Sequence, residues 1–155
     1  MEPITSKEAF LKSGFIPLLK KLNGNEKGNW GVMNSQQMVE HFVDALKNAN
    51  GKLILPSLND GERLQKFRDF LMSEEPFKEN TKNSLMPEEG IQLRQPDMIS
   101  AIDKLQTELD YFFDIFKTNP VLETGNAFFG QLNFEMNIQL LHKHAMHHLK
   151  QFGLA

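Results

Sequence analysis

Apolar residues in this chain recur every three or four positions, the spacing of one face of an α-helix, and almost nowhere alternate as a half-buried strand requires. The pattern is clearest near the C-terminus. Phe134, Ile138, Leu141, Ala145, Leu149 and Phe152 fall within roughly 80° of one another when successive residues are turned by about 100°. Asn133 caps this stretch and Gly153 stops it. Asn34 and Gln37 read as a capping-box variant opening a second helix, with Met38, Phe42, Ala45, Leu46 and Ala49 on its apolar face and Gly51 beyond its end. Asp97 opens a third that runs to Thr118, ended by Asn119-Pro120. Ser6 to Leu22 has helical spacing too, but Gly14 and Pro17 predict a kinked or two-piece helix there. Asp60 to Met72 is a shorter helical piece, and Ser73 to Pro96, rich in Pro, Glu, Asn and Lys, reads as a long irregular loop that walls a cleft. Lys52 to Leu55 is the only strand candidate. The expectation is an all-α fold: a four-helix bundle with extra short helical pieces and a long loop between the middle helices, as a single domain over residues 1–155.

At 155 residues the chain can bury about two thirds of its unfolded surface. A net charge of −3 argues against nucleic acid or an anionic membrane as partner. No apolar run approaches the ~18 residues needed to span a bilayer. The opening residues MEPITSKEAF have neither a basic region nor an apolar core, so no signal peptide is expected and a cytoplasmic location is. Cysteine is absent, which removes disulfides, thiolate ligands and a protein thiol nucleophile together. Any sulfur chemistry must bring its thiol on a small molecule.

All five histidines fall in two helical segments. His144 and His148 lie about 40° apart at the edge of the last helix's apolar stripe. Asn137 and Gln151 share their line, so a polar row runs beside the apolar one. His41 occupies the matching boundary of its own helix, accompanied by Gln37, Asp44 and Asn48. A histidine pair at i, i+4 has the separation to share one metal ion, and a third imidazole from a neighbouring helix would complete a three-nitrogen site with open positions. Gln151, Asn137, Asp44 or Gln37 would fix the rings' other nitrogens. Against this stand plainer readings: a solvated histidine pair, and a hydrogen-bonded boundary residue at position 41. His142 projects to the solvent side; it and His147 read most simply as solvated surface residues, with His147, at i+3 from His144, as an alternative ligand.

At these residues the chain resembles the DinB/YfiT-like superfamily of metalloenzymes. The resemblance lies in Trp30-Gly-Val-Met-Asn-Ser-Gln-Gln-Met38 leading to His41, and in the closing His144-x-x-x-His148-x-x-Gln151-Phe-Gly-Leu154. It implies a four-helix bundle, commonly a homodimer, with a divalent metal, zinc or nickel, held by His41, His144 and His148. Relatives with known activities include transferases and isomerases that use small-molecule thiols, and this chain looks closest to a branch without an assigned reaction, so the reaction does not follow from the fold.

Three functions compete. The first is a metal-dependent transferase moving a low-molecular-weight thiol onto an electrophilic small-molecule substrate, with Asp44 as candidate orienter or base. The second is a metal-dependent hydrolase with the same ligands. The third is a non-catalytic dimeric binding module, for which eight methionines and thirteen phenylalanines offer adaptable apolar surface. A nickel or copper carrier is a remote fourth, prompted by the cluster from His142 to His148.

Overall fold

The structure is a computed structural model that describes residues 2–79 and 91–155. Among the described residues it is mostly helical: α1 (Ile4–Ser13), α2 (Phe15–Leu19), α3 (Ser35–Ala49), α4 (Gly61–Met72), α5 (Met98–Thr118) and α6 (Phe134–Gln151). A small antiparallel hairpin, β1 (Thr124–Asn126) with β2 (Gly130–Leu132), stands between α5 and α6 and qualifies the all-α expectation.

The N-terminal helix is in two pieces, as its breakers predict. Gly14 separates α1 from α2, and Pro17 sits in the first turn of α2, where its missing N–H leaves no helical bond unmade. The start of α3 is fastened from both sides. The Asn34 side chain accepts from the Gln37 N–H at 2.9 Å, and the Gln37 side chain accepts from the Asn34 N–H at 2.8 Å. Its far end releases into Gly51, whose φ of +84° is the left-handed conformation that favours glycine. Asp97 and Asn133 cap α5 and α6 by accepting from Ser100 and Met136 N–H groups.

The segment Lys52 to Leu55 is not a strand. It leaves α3 as a loop, with the Leu53 N–H donating to the Lys47 carbonyl and Asn48 Nδ2 donating to the Leu53 carbonyl, and Ile54 points outward. The strands lie instead at residues 124–132, three residues each, too short to show alternation. Their turn is built by Asn126, whose Oδ1 accepts from the Phe128 and Phe129 N–H groups. Thr124 Oγ1 donates to the Ala49 carbonyl and Asn48 Nδ2 to the Gly125 carbonyl, so the hairpin closes the C-terminal end of α3.

The main core is formed by the inner faces of α1, α2, α3, α5 and α6. Phe15, Phe42 and Phe112 are fully buried in it, with Phe15 and Phe42 rings 4.9 Å apart. A second, smaller core of Leu71, Phe129 and Leu132 seats α4 against the hairpin and α6. Arg68 on α4 reinforces that seat, donating to the Phe129 and Gln131 carbonyls. Residues 80–90 of the long loop expected from Ser73 to Pro96, and with them that part of the expected cleft wall, lie outside the described residues. Among the described residues no helix is long and apolar enough to cross a membrane. The consequence for the site is that α3 and α6 meet where Phe42 of α3 contacts the His144 and His148 rings of α6, which brings the boundary rows of both helices to one place.

Candidate metal centre

His41 reaches across from α3 to meet His144 and His148 on α6. The Nε2 atoms of His41 and His144 are 3.1 Å apart, and those of His144 and His148 are 2.7 Å apart. One nitrogen from each of the three rings lies within 4.8 Å of the other two. The Phe42 ring lies under His144 with centroids 4.8 Å apart, so the cluster rests on the core.

The proton arrangement follows from Gln151. Its Nε2 donates to the Trp30 carbonyl at 2.9 Å, which leaves its Oε1 to accept, and His148 Nδ1 lies 2.8 Å from that oxygen. The His148 proton is therefore on Nδ1, and its Nε2 turns a lone pair toward the cluster. Burial pushes the His148 pKa down to about 3, with His41 adding to the effect and the Gln151 bond opposing it. Burial also lowers His41 to about 4 against the pull of Asp44, and holds His144 well below the ordinary histidine value, with His148 and His41 adding to that. All three rings are neutral at pH 7. A single ring proton can serve one nitrogen pair among them, whereas a cation at their centre satisfies all three lone pairs. A tetrahedral ion bonded to nitrogen at about 2.0–2.1 Å would hold its nitrogens about 3.3 Å apart. The observed spacings are within a few tenths of an ångström of that for His41–His144, and somewhat shorter for His144–His148. The donor set, neutral imidazole without thiolate, suits zinc, nickel, copper or iron.

The neighbours differ from the sequence reading in four respects. Asn137 does not reach the histidines: its Nδ2 donates to Thr124 Oγ1 and to the Leu132 and Asn133 carbonyls, two turns back along α6, where it anchors the hairpin. Both ends of the Gln37 amide are engaged by Asn34 and by the Ile91 carbonyl. Asp44, the candidate orienter or base, is paired with Arg94, which donates to its two oxygens at 2.8 and 3.2 Å; it bears on His41 through charge alone. His142 is not on a solvated face. It packs edge-on against Phe10 of α1 at 5.7 Å, and burial lowers its pKa. Helical periodicity carries no sign of this, because α1 covers a side of α6 that is polar in sequence.

His147 stands beside the triad, 5.2 Å from the His148 ring, between Trp30 at 5.5 Å and Phe77 at 5.9 Å. Trp30 stood in the sequence motif without a role; here its carbonyl orients Gln151 and its ring flanks His147. Phe77 and Arg94 carried no signal, since both come from the aperiodic stretch after α4. Comparison with protein-family models, curated proteins and solved structures finds no match for this chain.

Proposed function

We propose that this protein is a metal-dependent enzyme whose divalent ion is held by His41, His144 and His148, in a four-helix bundle of the DinB/YfiT-like kind, as the sequence resemblance implies. The observation that carries the reading is the convergence on one point of three neutral imidazole nitrogens, one from α3 and a pair from α6, with 103 positions between His41 and His144. Zinc or nickel suits the ligands. Bound there, a divalent ion lowers the pKa of a coordinating thiol or water and so supplies a nucleophile at neutral pH. The chain's own residues do the rest: Gln151 fixes the His148 tautomer, and Phe42 and the core exclude water from the ligands' inner side. The absence of cysteine favours transfer of a small-molecule thiol, because no protein thiol competes for the metal or the electrophile. The working assembly is proposed to be a homodimer.

The test begins with metal content. Untagged protein purified without an immobilised-metal column is expected to hold about one equivalent of a divalent metal, and His41→Ala to hold almost none. Equal metal in both would reduce the site to adventitious binding by α6. Conjugation of a thiol to a generic electrophile, measured beside ester hydrolysis, then separates transferase from hydrolase. Turnover in neither assay would favour the non-catalytic binding module over both enzyme readings.

A further inference from the structure

The triad is closed toward the protein and bounded by partly exposed aromatic rings on its α6 flank. Phe42 is fully buried beneath it, and His148 and Gln151 are 4% and 3% exposed, so no path reaches the three nitrogens through the core. Trp30, His147 and Phe77 keep partial exposure on that flank. The Phe77 ring is edge-on to His144, the central histidine, at 6.3 Å, and edge-on to His147 at 5.9 Å. Phe77 belongs to no helix or strand, so something else must keep it there.

Two buried lysines do so. Lys143, one position before His144 on α6, is 7% exposed and donates to the carbonyls of Phe70, Ser73 and Glu75. The three donors of an ammonium are thereby all engaged, and the first of these carbonyls lies at the C-terminal end of α4, where a cation is favoured by the helix dipole. Lys7 of α1 is 1% exposed and donates to Glu74 Oε1 at 2.8 Å and Gln139 Oε1 at 2.7 Å, and Gln139 Nε2 donates in turn to the Ser73 carbonyl. Each residue from Ser73 to Glu75 is thus held by a side chain of α1 or α6. Burying an ammonium is costly unless its bonds are met, so this clasp is either complete or strongly destabilised. Two residues further on, the chain sets Phe77 against the Phe70 ring at 5.5 Å and against the histidines.

We propose that residues 73–77 form a fixed wall of the metal site, that Phe77 limits the size of the exogenous ligand that reaches the ion, and that Lys143 is the positioning residue that keeps Phe77 in place. The proposal rests on the metal reading above. Three protein ligands leave a coordination position for an outside donor. A ring held by edge contact with a ligand histidine admits a compact donor there and obstructs one that carries an aryl group.

The experiment loads the full-length protein with Co(II), whose visible absorption reports its coordination, and titrates it with imidazole and with 4-phenylimidazole. Wild type is expected to favour imidazole by about tenfold or more, the discrimination a shaped apolar wall can supply. Phe77→Ala should remove about tenfold of that preference, with the affinity for 4-phenylimidazole moving far more than that for imidazole, and Phe77→Trp should widen it. Lys143→Met should narrow it as Phe77→Ala does, and should add nothing in the Phe77→Ala background, since both act through one ring. If Lys143→Met fails to fold, the two Phe77 variants still decide. An unchanged ratio in Phe77→Ala, or an equal change for both ligands, overturns the wall while leaving bound Co(II) as support for the metal site. Wild type that takes up no Co(II) overturns both.

Discussion

His148 has two ring nitrogens, and only the one without a proton can ligate a metal. Gln151 makes that choice, because its own amide nitrogen is committed to the Trp30 carbonyl and its oxygen must accept. Gln151→Leu keeps the size and removes the acceptor. It is expected to weaken metal binding by about 10- to 100-fold, as loss of a ligand's orienting partner does, measured by competition with a chelator of known affinity. Equal affinity in the two proteins would mean that the ring is oriented by packing alone. The contrast with Asn137 shows what was legible at this scale. Both residues lie on the polar row of α6, and angular position alone treats them alike. The difference is axial: Gln151 is three residues from His148, within bonding reach, whereas Asn137 is seven residues before His144, about 10 Å along the axis, and meets the hairpin instead. The three histidines were legible because each sits at the margin of an apolar stripe. Phe77 was not, since a residue outside any periodic element carries no angular information.

At the scale of elements, the capping residues and periodic stripes located α3, α5 and α6 nearly to the residue, because local hydrogen bonds and a buried face both act within the segment itself. The hairpin escaped for the opposite reason. Its strands are three residues long, and what secures them is distant: Thr124 on the Ala49 carbonyl and Asn48 on Gly125. The bend between α1 and α2 was legible from Gly14 and Pro17, but the side of α6 that α1 covers was not. The start of α3 matters for the site, since His41 lies in its second turn. Asn34→Ala removes the acceptor for the Gln37 N–H and leaves only the return bond, from the residue-34 backbone N–H to the Gln37 side chain. The expected loss is about 1 kcal/mol in urea unfolding, with metal affinity reduced less than by Gln151→Leu, because the cap acts on the whole helix and not on a ligand ring. A larger effect on metal than on stability would show that the cap aims His41 directly.

Among the described residues, the seam between α3 and α5 is the most extensive helix pairing, and one buried carboxylate ties its end. The Glu108 side chain is fully buried, with Lys52 and Lys104 ammoniums at 2.9 and 3.1 Å and Asn50 Nδ2 at 3.0 Å, and the same Nδ2 also donates to the Glu108 carbonyl. Burial opposes its ionisation, but the bonds from Lys52, Asn50 and Lys104 prevail and hold its pKa at about 2, below the ordinary 4.5. A folded-state pKa below the unfolded one means that the unfolded chain binds the proton first. The contribution of Glu108 is therefore complete above about pH 4.5 and is lost as pH falls toward 2. The buried histidines also weaken the metal-free fold on acidification, beginning near their ordinary 6.5, because the unfolded chain protonates them and the folded one resists. The two effects overlap, so a pH profile of wild type alone does not separate them. Glu108→Gln does: it keeps the shape, removes the charge and leaves the histidines alone. In urea unfolding, wild type should exceed the variant most at pH 7, by a margin that holds down to about pH 5 and shrinks steadily below 4.5, while both proteins lose stability in parallel between pH 6.5 and 5. A margin that stayed constant down to pH 3 would mean that Glu108 contributes through packing and not through its charge.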